Sequence, residues 1–144
     1  LGVRVGVHAR PRARAERLAA ELGAALASPD PPWDRLVNAT PVGMLGIPGL
    51  PFPPEALHAR HFVADIIYTP LETALIQAAR AKGARVLTGG GMAVFQAVEG
   101  FRLWTGAAPD IARMKRVFAE AAAARDKALA DARRAPAARG GTFR

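Results

Sequence analysis

Three arginines lie close together near the start of this sequence, at Arg10, Arg12 and Arg14. They follow a short strand-like run, and residues 3–15 contain no Asp or Glu. Arginine in the first turn of a helix opposes the helix dipole unless an anion offsets the charge, and helix N-termini bind phosphate groups readily. The turn therefore favours an anion-binding site over a merely solvated basic surface.

Polar residues also stand where other strand-like runs end. Asn38 and Thr40 follow one short apolar run, and Tyr68 ends another. Asn and Thr in such turns can hydrogen-bond the local backbone. A structural role for Asn38 and Thr40 is therefore as well supported as direct contact with a ligand.

The elements that carry these residues alternate between strand and helix. Alternation and short apolar runs predict strands at residues 3–7, 35–38, 62–68 and 85–87. Helical spacing predicts helices over residues 12–22, 71–81, 92–104 and 109–131, the first ending at Gly23. The apolar residues expected to face inward on the last two helices are Phe95, Val98, Phe101, Ile111, Met114, Val117 and Phe118. Prolines 29, 31 and 32 predict an extended connection.

This alternation predicts an α/β fold with a doubly wound parallel sheet. Ligands of such sheets bind beyond the carboxyl ends of the strands. The turns expected on that rim are residues 9–14, 38–44, 68–70 and 88–92.

Composition excludes several classes of site. The 144 residues include no cysteine, which excludes disulfides, thiolate metal ligands and a cysteine nucleophile. The three histidines show no strong metal-binding spacing. No apolar run approaches the roughly 18 residues of a membrane span, so a cytoplasmic protein without a membrane partner is expected.

The net charge of +8 is concentrated at the two ends of the chain. Residues 111–144 hold nine Lys or Arg against three acids, and residues 1–20 hold five against one. Residues 111–144 contain only two aromatic residues, Phe118 and Phe143, and these form no series interleaved with the charges for base stacking. A solvated helix and a disordered basic tail at 133–144 are therefore favoured over nucleic-acid binding.

Four ordered segments give this chain a resemblance to a known family. Residues 38–44 (NATPVGM), 65–73 (DIIYTPLET), 89–98 (GGGMAVFQAV) and 101–106 (FRLWTG) resemble the shikimate/quinate dehydrogenases in order and spacing. The resemblance implies an incomplete Rossmann-like doubly wound sheet followed by two C-terminal helices. It also implies reversible hydride transfer between 3-dehydroshikimate and shikimate, with quinate as a related substrate.

The resemblance carries roles onto individual residues. Tyr68 and Gln96 match the family's substrate-binding tyrosine and glutamine, and both types suit a polyhydroxy ligand because they hydrogen-bond without a buried charge. Gly89 and Met92 match positions beside the nicotinamide, and Asn38 and Thr40 match a loop that borders the cofactor. The alternatives are a strand-end core tyrosine at Tyr68, a surface glutamine at Gln96 and a core methionine at Met92.

The arginine turn predicts the cofactor. Arg10 and Arg14 match the family's two phosphate-binding arginines, although Ala9 and Pro11 replace its usual Asn and Thr. An acidic residue at this turn would hold the ribose 2′-hydroxyl of NAD, whereas arginine accommodates the 2′-phosphate of NADP. The sequence therefore predicts NADP.

The family's Gly-rich phosphate loop and its catalytic lysine and aspartate match nothing in this sequence. The chain is therefore expected to be a fragment without a catalytic residue and inactive alone. The expected domains are a partial NADP-binding unit at 1–88 and helices at 89–132 that would pack on an absent substrate domain. Their unpartnered faces predict a homodimer or aggregation.

Two hypotheses stay open. Gly90 and Ala93 replace leucines usual in shikimate-specific members, which suggests a wider pocket and relaxed specificity toward quinate. A non-catalytic NADP-binding or regulatory module is the alternative to an oxidoreductase fragment.

Overall fold

A computed structural model of the chain describes residues 3–28 and 33–134, with side chains as far as 132. The described elements are β1 (Gly6–Val7), α1 (Arg12–Leu22), β2 (Ala25–Leu26), β3 (Arg35–Asn38), β4 (Phe62–Asp65), α2 (Ala74–Ala81), β5 (Arg85–Leu87), α3 (Gly90–Thr105) and α4 (Ile111–Arg134). A single 3₁₀ turn lies at Pro54–Ala56. The predicted connection at 29–32, and residues 135–144 of the predicted tail, lie outside the described residues.

All strand pairs of the described chain are parallel, which confirms the predicted fold class. One sheet has the order β1-β2 and the other has the order β3-β4-β5. In the larger sheet Asn38 lies beside Asp65, and Val63 lies beside both Leu36 and Val86. The carboxyl ends of β3, β4 and β5 therefore meet at one edge, as expected for a parallel sheet.

The smaller sheet differs from the sequence prediction. The strand predicted over residues 3–7 is reduced to Gly6–Val7, and β2 was not predicted at all. Two residues of β2 are too short to show an alternating pattern, so periodicity could not reveal this strand.

The core lies between α2 and the larger sheet. Leu57, Val63, Leu75, Ala79 and Ala84 form one buried apolar cluster. Helix α2 begins at Ala74 rather than at residue 71. The hydroxyl oxygen of its N-cap residue, Thr73, accepts a hydrogen bond from the Ile76 amide in the first turn. This cap satisfies a donor that the helix itself leaves unpaired.

Several predicted inward-facing residues are exposed. The prediction was wrong for Phe95 and Phe101, which are 48% and 41% exposed, whereas Val94 and Val98 are buried. Helix α3 contacts the rest of the described chain along a narrow stripe, so its other apolar positions stay in water. Exposed large apolar side chains also occur in the other predicted stripes and strands: Val3, Val5, Leu18, Leu22, Val37, Ile66, Leu87, Ile111 and Val117.

Helix α4 covers Ile111–Arg134 instead of 109–131. The backbone amide of Arg113 donates to the Asp110 carboxylate at 2.9 Å, which places the first helical residue after Asp110. Residues 133 and 134, predicted as part of a disordered tail, lie in this helix.

A buried histidine lies at the opposite end of β4 from the rim. The His61 ring has no solvent exposure and lies 4.1 Å from the Trp33 ring, centroid to centroid. Its Nδ1 accepts from the His58 amide at 3.1 Å, so neutral His61 carries its proton on Nε2. Burial, followed by the nearby Arg60 and His58, lowers the pKa of His61 below its ordinary value.

This shift predicts a pH-dependent stability. The unfolded chain takes up a proton at His61 near pH 6.5, whereas the folded chain does so only at lower pH. The contribution of neutral His61 to the free energy of unfolding is therefore complete above about pH 6.5. It is lost as the pH falls from there toward the pKa of His61 in the folded chain. Urea unfolding at several pH values measures this slope. We expect His61→Phe to flatten it and His8→Gln, a control at an exposed histidine, to leave it unchanged. Equal slopes for His61→Phe and the parent chain would contradict the assignment.

Candidate functional site

The candidate site is organised around a buried carboxylate at the end of β4. Asp65 is 2% exposed. Its Oδ1 accepts from Asn38 Nδ2 and from the Ile67 amide, both at 3.0 Å, and its Oδ2 accepts from the Thr73 hydroxyl at 2.7 Å. A buried carboxylate is tolerated only when donors replace its water. These donors come from the ends of β3 and β4 and from the N-cap of α2.

The amide of Asn38 is fully used inside the protein. Besides Asp65, its Nδ2 donates to the Val42 carbonyl at 3.2 Å, and its Oδ1 accepts from the amide and hydroxyl of Thr40 at 3.0 and 2.7 Å. The Thr40 hydroxyl also accepts from the Val42 amide at 3.2 Å. An asparagine side chain has two donors and two acceptor positions. Of the two roles left open by the sequence, this geometry favours the structural one for Asn38.

Backbone hydrogen bonds join the loops that follow β3 and β4. The Ile66 amide donates to the Asn38 carbonyl at 3.1 Å, and the Leu45 amide donates to the Thr69 carbonyl at 3.0 Å. Tyr68, between these contacts, is 42% exposed. Its position at the rim is therefore fixed by its neighbours, while its ring remains accessible to a ligand.

The start of α3 is fitted against the same loop. A Cβ at Gly89 would overlap the carbonyl oxygens of Ile66 and Ile67. Only glycine permits this approach. Gly89 therefore brings the N-terminus of α3 directly against the end of β4.

Helix α3 presents two of the predicted site residues. Met92 and Gln96 are one turn apart, so they share a face, and both are exposed. The predicted core alternative for Met92 is not favoured, since this side chain is 46% exposed.

Gly90 does not open a pocket. A Cβ there would lie 3.0 Å from Leu71 and 3.1 Å from Phe118, so these side chains occupy the space that a larger residue would fill. The structure gives no support at Gly90 to the hypothesis of a widened pocket.

The arginine turn lies beside the smaller sheet. Arg12 forms an ion pair with Glu16 at 2.8 Å, and the Arg10 guanidinium donates to the Leu50 carbonyl at 3.4 Å. Arg14 and Arg17 line an open depression on the first turns of α1. Sequence reasoning missed Arg17, although its spacing of three from Arg14 places both on one helical face.

The predicted site residues thus form two groups. The first joins the ends of β3 and β4 to α3 and comprises Asn38, Thr40, Tyr68, Gly89, Met92 and Gln96. The second comprises Arg10 and Arg14 and meets the long loop after β3 through the Arg10–Leu50 hydrogen bond and the edge contact of His8 with Phe52, at 5.8 Å between centroids. Within residues 3–28 and 33–134, no cluster of three or more His, Asp or Glu could hold a metal ion.

No helix in the described part of the chain combines the length and apolar character needed to cross a bilayer.

The parallel strands, the helices that connect them and the close approach at Gly89 define the fold class of this chain as Rossmann-like. Residues 89–117 match the family model for the shikimate 5'-dehydrogenase C-terminal domain. The chain is 52% identical over 105 residues to a shikimate dehydrogenase (NADP(+)) of Streptomyces avermitilis, covering 69% of this chain and 36% of that relative. A quinate/shikimate dehydrogenase (NAD(+)) of Corynebacterium efficiens is 51% identical over 85 residues, covering 59% and 30%.

The fold agrees with a solved structure of a similar protein. The shikimate 5-dehydrogenase of Thermus thermophilus, in complex with NADP(H) and shikimate, superposes with a TM-score of 0.74 at 36% identity. The alignment covers 83% of this chain and 47% of that one. The chain is therefore similar to part of the shikimate and quinate/shikimate dehydrogenases, and residues 89–117 are similar to their C-terminal domain. It spans about a third of the two curated relatives named above and about half of this structure.

The close fit at Gly89 predicts the effect of a single methyl group. We expect Gly89→Ala to destabilise the chain by about 2–4 kcal/mol, because a buried overlap with backbone carbonyls forces the helix away from β4. Gly91→Ala is the matched control, since a Cβ there meets nothing within 4 Å. The control should be neutral or stabilising by up to about 1 kcal/mol. Chemical unfolding measures both, and equal stabilities of the two variants would refute the fit.

Proposed function

We propose that this chain supplies the NADP-binding surface and part of the substrate-binding surface of an NADP-dependent shikimate or quinate/shikimate dehydrogenase. The observation that carries the proposal is the Asp65 network, because it joins three rim segments next to Tyr68. Tyr68 is exposed and directly follows the Ile66 and Ile67 carbonyls against which Gly89 fits. The names of the relatives supply the class of enzyme, a shikimate or quinate/shikimate dehydrogenase. The resemblance of the four sequence segments implies the reaction, which is reversible hydride transfer between 3-dehydroshikimate and shikimate.

The residues at the arginine turn fit the phosphorylated cofactor. No carboxylate stands at the end of β1 to hold a ribose 2′-hydroxyl, and Arg14 shares its depression with Arg17. Arg10 and Arg14 would hold the 2′-phosphate, and Gly89 and Gly91 would allow close approach of the nicotinamide. NADP supplies or accepts the hydride when bound.

The names of the relatives include different cofactors, so the prediction of NADP rests on the arginines of this chain. The Streptomyces relative is named for NADP(+), and the Corynebacterium relative is named for NAD(+). A 2′-phosphate gains charge-assisted hydrogen bonds from arginine that a 2′-hydroxyl cannot match. Preference for NADP therefore follows from the residues of this chain rather than from either name.

Tyr68 and Gln96 would recognise the substrate. A phenol and a primary amide can each donate and accept hydrogen bonds, which suits the hydroxyl groups of a polyhydroxy cyclohexene acid. Neither group needs to change protonation, so both bind and orient. We assign no general acid or base to the described residues, and the proton-transfer groups would come from another part of the protein.

The preference for NADP is testable by titration. We expect Arg10→Ala and Arg14→Ala each to weaken NADPH binding about tenfold or more and to leave NADH binding nearly unchanged, because only NADPH carries the 2′-phosphate. Calorimetry on the longest natural reading frame that contains this chain measures both affinities. Arg116→Ala, at an exposed arginine of α4, is the control. Comparable affinity of the unaltered protein for NADH and NADPH would refute the proposal.

The substrate role is tested by steady-state kinetics on the same protein. We expect Tyr68→Phe and Gln96→Ala each to raise the KM for shikimate about tenfold, because each removes hydrogen bonds to the ligand. The KM for NADPH should stay within about twofold, since neither side chain would touch the cofactor phosphate. An unchanged KM for shikimate in both variants would contradict this assignment.

The alternative is a non-catalytic NADP-binding or regulatory module. Such a module would show the same arginine-dependent affinity for NADPH without turnover of shikimate or quinate. The kinetic experiment therefore separates the two functions, whereas the titration alone does not.

A homodimer and a lack of specific nucleic-acid binding stay predictions. Leu103 and Trp104, 83% and 87% exposed, are among the apolar side chains that a dimer contact would cover. Sedimentation of the purified protein measures the first, and binding to duplex DNA at two salt concentrations measures the second.

A further inference from the structure

Helix α4 extends beyond residue 117, where the family match ends, and contacts the loop after β4. Phe118 lies beside Gly90, and Ala122 is buried. One turn further, Arg125 and Asp126 contact residues 68–71. The middle of α4, residues 118–126, is therefore packed against the candidate site.

Arg125 binds this loop through two different groups. Its Nη1 donates to the Thr69 hydroxyl at 2.9 Å, and its Nη2 donates to the Tyr68 carbonyl at 2.8 Å. Its Nε and Nη2 also donate to Asp126 Oδ1 at 2.9 and 2.8 Å. The fixed fork of the guanidinium makes these contacts possible at once, which a lysine ammonium cannot reproduce.

Asp126 adds a contact from the same helix. Its Oδ2 lies 3.4 Å from the Leu71 amide, which donates to it. Because β4 ends at Asp65, strand pairing no longer orders residues 68–71. Four of their polar groups form hydrogen bonds elsewhere: the Tyr68 carbonyl, the Thr69 hydroxyl and the Leu71 amide with α4, and the Thr69 carbonyl with Leu45.

A surface ion pair does not explain this arrangement. Arg125 and Asp126 are about one-third exposed, and the acceptors on the loop are uncharged groups more than fifty positions away in sequence. Hydrogen bonds from Arg125 and Asp126 to a distant loop are not needed to stabilise α4 itself. The contacts therefore act between α4 and the loop.

We propose that Arg125, oriented by Asp126, is a positioning residue for Tyr68. It holds the Tyr68 carbonyl and so fixes the backbone from which the phenol stands at the rim. The inference rests on the proposed substrate role of Tyr68 and extends the site to a helical segment beyond the family match. Arg125 itself would not touch the substrate.

The first experiment uses the fact that Tyr68 is the only tyrosine of the chain. Its aromatic ¹H–¹³C correlations are recorded for the parent chain, Arg125→Ala, Arg125→Lys and the control Arg116→Ala. We expect both Arg125 variants to shift or broaden the Tyr68 signals and the control to leave them in place. Lysine keeps the charge and the helix but not the fork, so it guards against a variant that merely fails to fold. Unshifted signals in both Arg125 variants would overturn the proposal.

The second experiment is a double-mutant cycle on the longest natural reading frame. We expect Arg125→Ala to raise the KM for shikimate by up to about tenfold, with the KM for NADPH unchanged within about twofold. In the Tyr68→Phe background the same change should add little, because Arg125 acts through Tyr68. If the two substitutions raise the KM for shikimate by factors that simply multiply in the double variant, the positioning role of Arg125 is wrong, while the substrate role of Tyr68 stands. If Tyr68→Phe leaves the KM for shikimate unchanged, the substrate role of Tyr68 fails and the inference fails with it.

Discussion

The buried Asp65 carboxylate is the constraint on which the rim depends. A carboxylate without water must be met by donors, and here the donors are Asn38, the Ile67 amide and the hydroxyl of Thr73. These three groups come from different segments, so satisfying one charge fixes the relative positions of two strand ends and one helix start. The side-chain amide of Asn38 also accepts two hydrogen bonds from Thr40 and so fixes the position of Thr40. The exposed residues that we propose to face a ligand are held by the same network.

Steric fit at the rim adds a second constraint. Gly89 allows α3 to begin against the carbonyls that follow β4, and Gly90 admits Leu71 and Phe118 from two other segments. Small residues therefore serve packing here as well as any approach of a cofactor. Gly89 and Gly90 are also the first two residues of the segment that matches the family model. The shape of the rim at this point depends on their lack of a side chain.

The two groups of site residues divide the work of the proposed dehydrogenase. The arginine turn beside the smaller sheet offers positive charge for a phosphate, whereas the rim of the larger sheet offers neutral hydrogen-bonding groups for a hydroxylated ring. Charge is useful at a solvent-exposed phosphate site, whereas neutral donors and acceptors suit the hydroxyl groups of the ring and avoid the cost of desolvating a charge beside them. Through Arg125, helix α4 links the rim residues to a part of the chain that the motifs did not mark.

The sequence alone determined the α/β class, the central strands of the larger sheet and the turns that form the rim, because alternation, helical spacing and ordered motifs are local properties. It did not reveal β2, the exposure of Phe95 and Phe101 or the late start of α2. It also did not reveal that Arg17 lines the depression beside Arg14, or that Arg125 contacts the loop after β4. Those features depend on which surfaces meet in three dimensions. The sequence likewise left open whether Asn38 binds a ligand or holds a turn. Its four side-chain hydrogen bonds favour the turn, since tertiary neighbours decide how hydrogen-bonding capacity is used.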